Sequence, residues 1–453
     1  MASTFISVQD LERNFREVKR VMRPKEAQEE SNRCLYCYDA PCIKACPTGI
    51  DIPSFIKKIA TGNLKGSART IMDANPVGAT CARVCPTEEL CEGACVLNES
   101  SNPIRIGDLQ RYATDWAIQS EQALFKAGEP NGKSVAVVGG GPAGLSAARE
   151  LARFGFAVTL FESKEQAGGL DTYGIVSFRL PQEISLWEVE QVKALGVNIR
   201  TQVQVGRDIS PSELLSAYDA VVLAVGLSAV PRLGIEGEAS PDVYDAVEFI
   251  ESTKGPFLRT DFTGKEVAVI GAGNTAIDAA TCAVRLGAAK VKIVYRRTRQ
   301  EMTAYDFEFE FAKADGVEFE WLTAPSRLVT RPDGTLAGVE CVKMQAQVGH
   351  PLADDKPSLV PVEHSAFLLR ADAVILAIGQ TRHTAFVESW GIEHRRGTVT
   401  VNPDTMQTSD PRIYAAGDVI FGEGQGEAMV VSAAQQGKKA ARAIHQLLAS
   451  AKP

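Results

Sequence analysis

The chain opens on a helical pattern. Residues 8–33 are charged, and their apolar positions Val8, Leu11, Phe15, Val18 and Met22 recur at spacings of three and four, which predicts one amphipathic helix or two. From 34 to 125 short helical patterns are broken by Pro and Gly, and no strand-like alternation stands out. Residues 126–133 carry two glycines, one proline and one asparagine and read as a linker. The pattern then changes. Val135-Ala-Val-Val138 is a short buried strand that runs into Gly139-Gly-Gly-Pro-Ala-Gly144 and a helical run over 145–154. Ala157-Val-Thr-Leu-Phe-Glu162 is a second strand that ends in an acid.

A near copy begins at Val267. It has a strand over 267–270, the loop Gly271-Ala-Gly-Asn-Thr-Ala276, a helix to Leu286 and a strand over 291–295. Two strand–glycine loop–helix–strand units in one chain are a duplication. Further strands over 220–226 and 373–379 end in small residues, and Ile413-Tyr-Ala-Ala-Gly-Asp418 closes on Gly-Asp before a helix over 426–448. At 453 residues the chain is too long for one core. The expected architecture is multidomain: an all-α domain over 1–130, then two α/β dinucleotide-binding domains. One of these, 263–385, is inserted in the other, 131–262 plus 386–453.

Each glycine loop has the physics of a phosphate cradle. Gly139 permits the tight turn, Gly141 lets a pyrophosphate approach the backbone, and Gly144 lets helix and strand pack closely. The helix N-terminus then offers free N–H groups to an anion. Glu162, at the end of the second strand, is placed to hydrogen-bond a ribose. In the second loop Gly271 and Gly273 recur, and Ala276 stands for the third glycine, an accepted variant. Its following strand ends in Tyr295-Arg296-Arg297 in place of an acid. Guanidinium forks suit a 2′-phosphate, so Arg296 and Arg297 favour NADPH, or form a solvated basic turn. Two such loops suggest flavin plus nicotinamide, with hydride passed to FAD and electrons released singly. Gly417 and Asp418 fit this, because a carboxylate at a strand end can bind a ribityl chain.

Composition narrows the chemistry. A net charge of −8 opposes a bulk electrostatic grip on nucleic acid. No apolar run approaches the roughly 18 residues of a membrane span. The first residues lack a basic n-region and an apolar h-region, so the reducing cytoplasm is expected and structural disulfides are not. Five histidines, none in a nucleophile–base pattern, make a His-centred triad a poor reading, and no catalytic residue is assigned. The cysteines are the strongest asymmetry: eight of ten precede residue 96. They form Cys34-x2-Cys37-x4-Cys42-x3-Cys46-Pro47 and Cys81-x3-Cys85-Pro86-x4-Cys91-x3-Cys95. Zinc sites usually come as separated CxxC pairs, whereas a run closed by Cys-Pro is ferredoxin-like and points to [4Fe–4S] clusters. Zinc and disulfides are the competing readings. Cys282 and Cys341 read as core residues and form no CxxC dithiol.

The cysteine region, Gly139–Gly144 loop, Gly168-Gly169-Leu170, Phe178-Arg179-Leu-Pro181, Gly271-Ala272-Gly273-Asn274-Thr275-Ala276 and Ala416-Gly417-Asp418 together resemble the FAD-containing small subunit of glutamate synthase and the N-terminal half of dihydropyrimidine dehydrogenase. The stretches Asp39-Ala-Pro-Cys42, Asp51-Ile-Pro-Ser-Phe-Ile56, Asn75-Pro-Val-Gly78, Pro103-Ile-Arg-Ile-Gly107 and Asp404-Thr-Met-Gln-Thr-Ser409 bring it nearer the latter. This resemblance covers nearly the whole chain. It implies FAD held by Gly139, Gly141, Ala143, Gly144, Glu162, Gly169, Leu170, Arg179, Gly417 and Asp418. It implies NAD(H) or NADP(H) on Gly271, Ala272, Gly273, Asn274, Thr275, Arg296 and Arg297. It implies one [4Fe–4S] cluster on Cys34, Cys37, Cys42 and Cys95 and another on Cys46, Cys85, Cys91 and Gln110, with Cys81 as the other candidate in place of the glutamine.

The single-chain enzyme of that family continues into an FMN barrel and a ferredoxin-like tail, so this chain is expected to be the electron-input subunit of the bacterial two-subunit form. Its partner would carry FMN and iron–sulfur clusters and interconvert uracil or thymine with 5,6-dihydropyrimidines, in a cytoplasmic hetero-oligomer without nucleic acid or membrane. Much of the family has Asp at the place of Asn274, which leaves nicotinamide choice open; bacterial two-subunit members generally use NADH, which tips the expectation that way. The alternatives are a glutamate synthase small subunit serving a glutamine-fed partner and a non-catalytic electron-transfer or assembly subunit.

Overall fold

A computed structural model describes residues 8–254, 261–346, 358–422 and 428–450. They fall into two compact units. One takes its residues from Glu17–Thr172, Arg179–Leu227 and Arg382–Pro453, the other from Met1–Arg16, Tyr173–Phe178 and Ser228–Thr381.

The first unit begins all-helical, with helices Pro24–Arg33, Pro41–Ala45, Ile52–Ala60, Leu64–Ala74, Gly78–Val84 and Ile106–Ser120. Local chemistry sets their ends. Asp51 accepts a hydrogen bond from Ser54 N at 3.1 Å, and Asn63 accepts one from Gly66 N at 2.9 Å, each capping the helix that follows. Ile52, Phe55, Ile56 and Ile59 recur at helical spacing and are buried with Ile71, Ile104, Ile106 and Leu109. Two arginines inside this region, Arg83 and Arg111, close a ring with Glu17 and Asp115. The ring fixes Gly78–Val84 against Ile106–Ser120.

The same unit holds a five-stranded parallel sheet in the order Ile413–Ala415, Ala220–Leu223, Ser134–Val138, Ala157–Phe161, Asn198–Arg200. Its strands are apolar because helices cover them. Helix Pro142–Arg153 lies against the 21-residue helix Val430–Ser450 so closely that a Cβ on Gly437 would overlap the carbonyl of Ala143. Strand order reverses at Ser134–Val138, so its following loop sits at the topological switch point.

The second unit repeats the plan. Its parallel sheet runs Val243–Asp245, Ala373–Leu376, Glu266–Ile270, Lys290–Val294, Glu318–Glu320. Val243–Asp245 lies before residue 263, so this sheet recruits chain ahead of the expected domain start. An antiparallel group, Thr323–Thr330, Leu336–Ala346, Leu359–Pro361 and Phe367–Arg370, has no counterpart in the sequence reading. Register shifts at Leu336/Gly338 and Glu340/Cys341 break the alternation that would have announced it. The helix expected over 426–448 runs from Val430 to Ser450, and residues 426 and 427 lie outside the described residues. Among the described residues no helix is long and apolar enough to cross a membrane.

A buried carboxylate joins the helical region to the first sheet's helices. Glu188, on Gln182–Lys193, accepts from Ala79 N at 2.7 Å, Thr80 N at 3.2 Å and Thr80 Oγ1 at 2.6 Å, at the start of Gly78–Val84. Burial pushes its carboxyl up to about 7, although these bonds pull the other way. The folded protein thus holds this proton more tightly than the unfolded chain. Stability falls as pH rises from the usual 4.5, and the loss is complete above about 7. Glu188→Gln has no proton to lose and gains on the wild type across that window by up to about 3 kcal/mol. Thermal midpoints of both proteins at low and high ends of the window measure this gain; parallel pH dependence would contradict it.

Candidate functional site

At the first glycine loop, Gly139 has φ +103°, and a Cβ there would overlap Ala224 O on the neighbouring strand. Gly144 leaves no room either, since a Cβ would overlap Gly139 O. These two glycines are required by the chain itself. Gly141 is different. Its φ of −73° suits any residue, and a Cβ would meet only Gly169 Cα at 3.9 Å. Nothing within the protein demands glycine here, so the missing side chain leaves open space above the N-terminus of Pro142–Arg153. That is the space a pyrophosphate needs, and it fits the group that the loop's chemistry implies.

The surrounding residues complete this cradle. Glu162 Oε2 accepts from Gly140 N at 2.9 Å, and its Oε1 accepts from Lys164 N at 2.8 Å, which fixes the carboxylate at the strand end. Gly168 N donates to Gly140 O at 2.7 Å, and Gly169, at φ +58°, lies against Gly141. Leu170, 40% exposed, opens the short helix that follows, and Arg179 is half-buried ahead of Gln182–Lys193. Ala143 packs against Gly417, whose N–H donates to Gln436 Oε1 at 2.7 Å. Burial raises the Asp418 carboxyl, and no donor among the described residues reaches it. A sugar or polyol hydroxyl would meet that need.

The second loop repeats this geometry. A Cβ on Gly271 would overlap Ala377 O, while one on Gly273 would meet only Thr303 Oγ1 at 3.3 Å. Asn274 Oδ1 is buried without a hydrogen-bond partner at the start of Asn274–Arg285, with Ala272 and Thr275 on either side of this turn. The arginine pair is divided. Arg297 is held by Glu301 at 2.6 Å, whereas Arg296 is exposed.

The thiols assemble differently from their order in sequence. Cys34, Cys37, Cys42 and Cys95 line one cavity with Ile52, Ile56, Ile104 and Ile106. Cys46 instead neighbours Cys91, together with Cys85. Cys81 lies beside Cys85 but is buried against Val77, Val431 and Ala434. Gln110 Nε2 donates to Gly78 O at 2.8 Å, so its nitrogen is engaged and Oε1 is the side chain's other polar atom. Burial pushes the Cys34 and Cys91 thiols up, and Cys42 up to about 11. Such thiols become thiolates when a cation binds them. Among the described residues no three His, Cys, Asp or Glu converge on the point a single ion would occupy. Cys282 and Cys341 lie in separate apolar clusters and form no dithiol.

Two buried cations, one of them reaching towards the second thiol group, escaped the sequence reading. Lys438, on Val430–Ser450, is 2% exposed, and its Nζ bonds the carbonyls of Thr48 (3.4 Å) and Ala74. Burial lowers this ammonium to about 8, so it stays protonated at neutral pH. Arg149 is 3% exposed and stacks at 4.3 Å over Phe125. A signal existed: Val431, Ala434, Lys438 and Ala441 share the buried face of one helix at spacings of three and four.

Comparison with known proteins identifies the two kinds of region in the chain. Residues 11–122 match the family described as dihydropyrimidine dehydrogenase domain II, 4Fe–4S cluster, and residues 133–437 match pyridine nucleotide-disulphide oxidoreductase. The chain is 37% identical to the NADP(+)-dependent formate dehydrogenase subunit beta of Moorella thermoacetica over 90% of its own length, and spans 60% of that relative. It is 35% identical to the NAD-dependent dihydropyrimidine dehydrogenase subunit PreT of Salmonella typhimurium, covering 94% of this chain and 96% of the relative. It is 33% identical to the glutamate synthase [NADPH] small chain of Escherichia coli, covering 95% and 93%. In fold it is similar to T. acidophilum thioredoxin reductase, with a TM-score of 0.54 and 22% identity over 70% of this chain and 99% of that one. The chain therefore belongs to the pyridine nucleotide-disulphide oxidoreductase family and is an NAD(P)H-dependent oxidoreductase that joins a 4Fe–4S domain of the dihydropyrimidine dehydrogenase kind to an FAD- and NAD(P)-binding region.

Proposed function

We propose that this chain is the electron-input subunit of a dihydropyrimidine dehydrogenase, working with a partner that carries FMN and interconverts uracil or thymine with 5,6-dihydropyrimidines. FAD would accept a hydride from NAD(P)H and release its electrons singly, and two [4Fe–4S] clusters would carry them to the partner. The observation that carries the reading is the cavity ringed by Cys34, Cys37, Cys42 and Cys95 in the same unit as the Gly139–Gly144 cradle.

The residues divide the work. Gly141 and the helix start behind it take the flavin pyrophosphate, Glu162 its ribose and Asp418 its ribityl chain, with Ala143, Gly169, Leu170 and Arg179 closing the cradle. Gly271, Gly273, Asn274 and their neighbours receive the nicotinamide dinucleotide. Glu301 already neutralises Arg297, which weighs towards NADH over a 2′-phosphorylated cofactor. Cys34, Cys37, Cys42 and Cys95 hold one cluster, and Cys46, Cys85, Cys91 and Gln110 Oε1 hold the other. Leu35, Tyr38 and Val96 are 61%, 107% and 41% exposed, and Leu35 and Val96 border the first cavity. Apolar residues exposed around a redox centre suit an exit face towards a partner.

Relatives named for dihydropyrimidine dehydrogenase, glutamate synthase and formate dehydrogenase share this module. Near-complete coverage of both chains favours the dihydropyrimidine and glutamate synthase readings over formate dehydrogenase, and the family matched over residues 11–122 favours the first of these two. Affinity purification from native cells, followed by NADH oxidation with added substrate, tests it. Uracil-dependent oxidation with an FMN-containing partner is expected. Dependence on glutamine and 2-oxoglutarate, or on formate, would replace the partner; NADH oxidation absent with every acceptor would overturn the enzyme reading.

Two substitutions test the residue assignments. Gly141→Ala should fold with stability within about 1 kcal/mol of wild type yet bind FAD at least ~tenfold more weakly, a loss of about 1.4 kcal/mol. Gly144→Ala should fail to fold, and equal flavin content in both variants would refute the division. Cys46→Ser should erase the cluster shared with Cys85 and Cys91 and spare the one on Cys34. Electron paramagnetic resonance (EPR) of the reduced protein separates the two, and loss of the Cys34 cluster alone would refute it.

A further inference from the structure

Lys438 is a buried cation with no carboxylate bonded to it among the described residues. There its ammonium reaches two carbonyls, Thr48 O and Ala74 O. The charges that act on it are Arg442, Glu150, Arg149 and the Cys46 sulfur. The first and third are cations. The one carboxylate, Glu150, is already engaged by Arg153 at 3.0 Å and Arg149 at 3.7 Å. An ammonium kept out of water without a counter-charge is strongly disfavoured. On the other side of Thr48, whose carbonyl receives Lys438 and whose hydroxyl lies 3.4 Å from Cys46 Sγ, is a sulfur that a bound cluster would hold as a thiolate.

The same helix turn touches the flavin cradle. Gln436 accepts from Gly417 N, and Gly437 lies against Ala143. Three consecutive residues therefore face the cradle loops and the Cys46 side.

We propose that Lys438 is a potential-setting residue for the cluster held by Cys46: its fixed positive charge balances the thiolate-rich centre and favours arrival of the electron that leaves the flavin. The proposal rests on the cofactor assignment above. The step is a single electron transfer, in which the cluster is reduced by one electron and the flavin, itself reduced by NAD(P)H, is oxidised by one. No bond forms or breaks at Lys438, and its proton stays in place. A centre with three thiolates and a neutral glutamine amide gains one negative charge on reduction, so a nearby fixed cation stabilises the reduced form more than the oxidised form. The Cys34 cavity is lined by thiols and apolar residues without a buried lysine or arginine among its lining, so the effect belongs to one cluster and not the other.

The test is a redox titration of the whole chain followed by EPR, with iron and sulfide content measured first. In Lys438→Met the ratio of reduced to oxidised Cys46 cluster at a fixed potential should fall roughly tenfold, equivalent to about 59 mV for one electron. The Cys34 cluster should not move, and Lys438→Arg should restore the wild-type value. An unmoved Cys46 cluster in a fully loaded Lys438→Met protein overturns the proposal, as does an equal shift in Lys438→Arg. Should Lys438→Met and Lys438→Gln both lose that cluster while Lys438→Arg keeps it, the need for a positive charge is upheld; loss in all three shows a role in shape alone and overturns it. A wild-type protein without two cluster signals would instead overturn the cofactor assignment.

Discussion

The contact between Gly437 and the carbonyl of Ala143 governs the larger unit. It lets helix Val430–Ser450 lie along Pro142–Arg153 at a separation no other residue permits. Once that approach is made, the neighbouring residues have fixed destinations. Gln436 meets Gly417, and Lys438 reaches the carbonyls of Thr48 and Ala74 in the cysteine region. Glu188 makes a second bolt between the same parts through Ala79 and Thr80. Sheet, cradle and thiol groups are therefore positioned by a few close, polar and buried contacts across the irregular segment 121–133 that joins them in sequence.

The duplicated loops show how one solution is adjusted. In both, the first glycine is demanded by a carbonyl on the adjacent strand, Ala224 or Ala377. The second glycine faces no backbone within close range in either loop: a Cβ on Gly141 would meet Gly169 Cα at 3.9 Å, and one on Gly273 would press on Thr303 Oγ1 at 3.3 Å. They part at the third position, where Gly144 admits no Cβ and Ala276 is fully buried without strain of that kind. They part again beyond the second strand. Glu162 is locked by Gly140 and Lys164, while Arg297 turns to Glu301. The first loop thus presents an acid to its ligand and the second presents a partly neutralised basic turn.

Much of this was legible in the sequence, because glycine requirements and strand runs are local. The duplicated glycine loops, the strands around each and the all-helical start could be read from spacing alone. Val243–Asp245 could not, since three residues carry no period, and the antiparallel group was hidden by its bulges. The grouping of thiols was invisible to spacing. Cys46 follows Cys42 by four residues yet neighbours Cys91, and it lies past the end of the short helix Pro41–Ala45, where the backbone is already extended. Only the family resemblance suggested that crossing. Lys438 and Glu188 were missed because a charged residue on an apolar helix face gives no hint of what it meets across the fold.

The central claim is that one chain carries electrons from a nicotinamide dinucleotide through flavin into two separate iron–sulfur centres. Anaerobic titration of the purified chain with NADH, followed by EPR, measures this directly. The account predicts that flavin bleaching is followed by two distinct cluster signals, without any partner present. Flavin bleaching with neither signal, or with one alone, would contradict it.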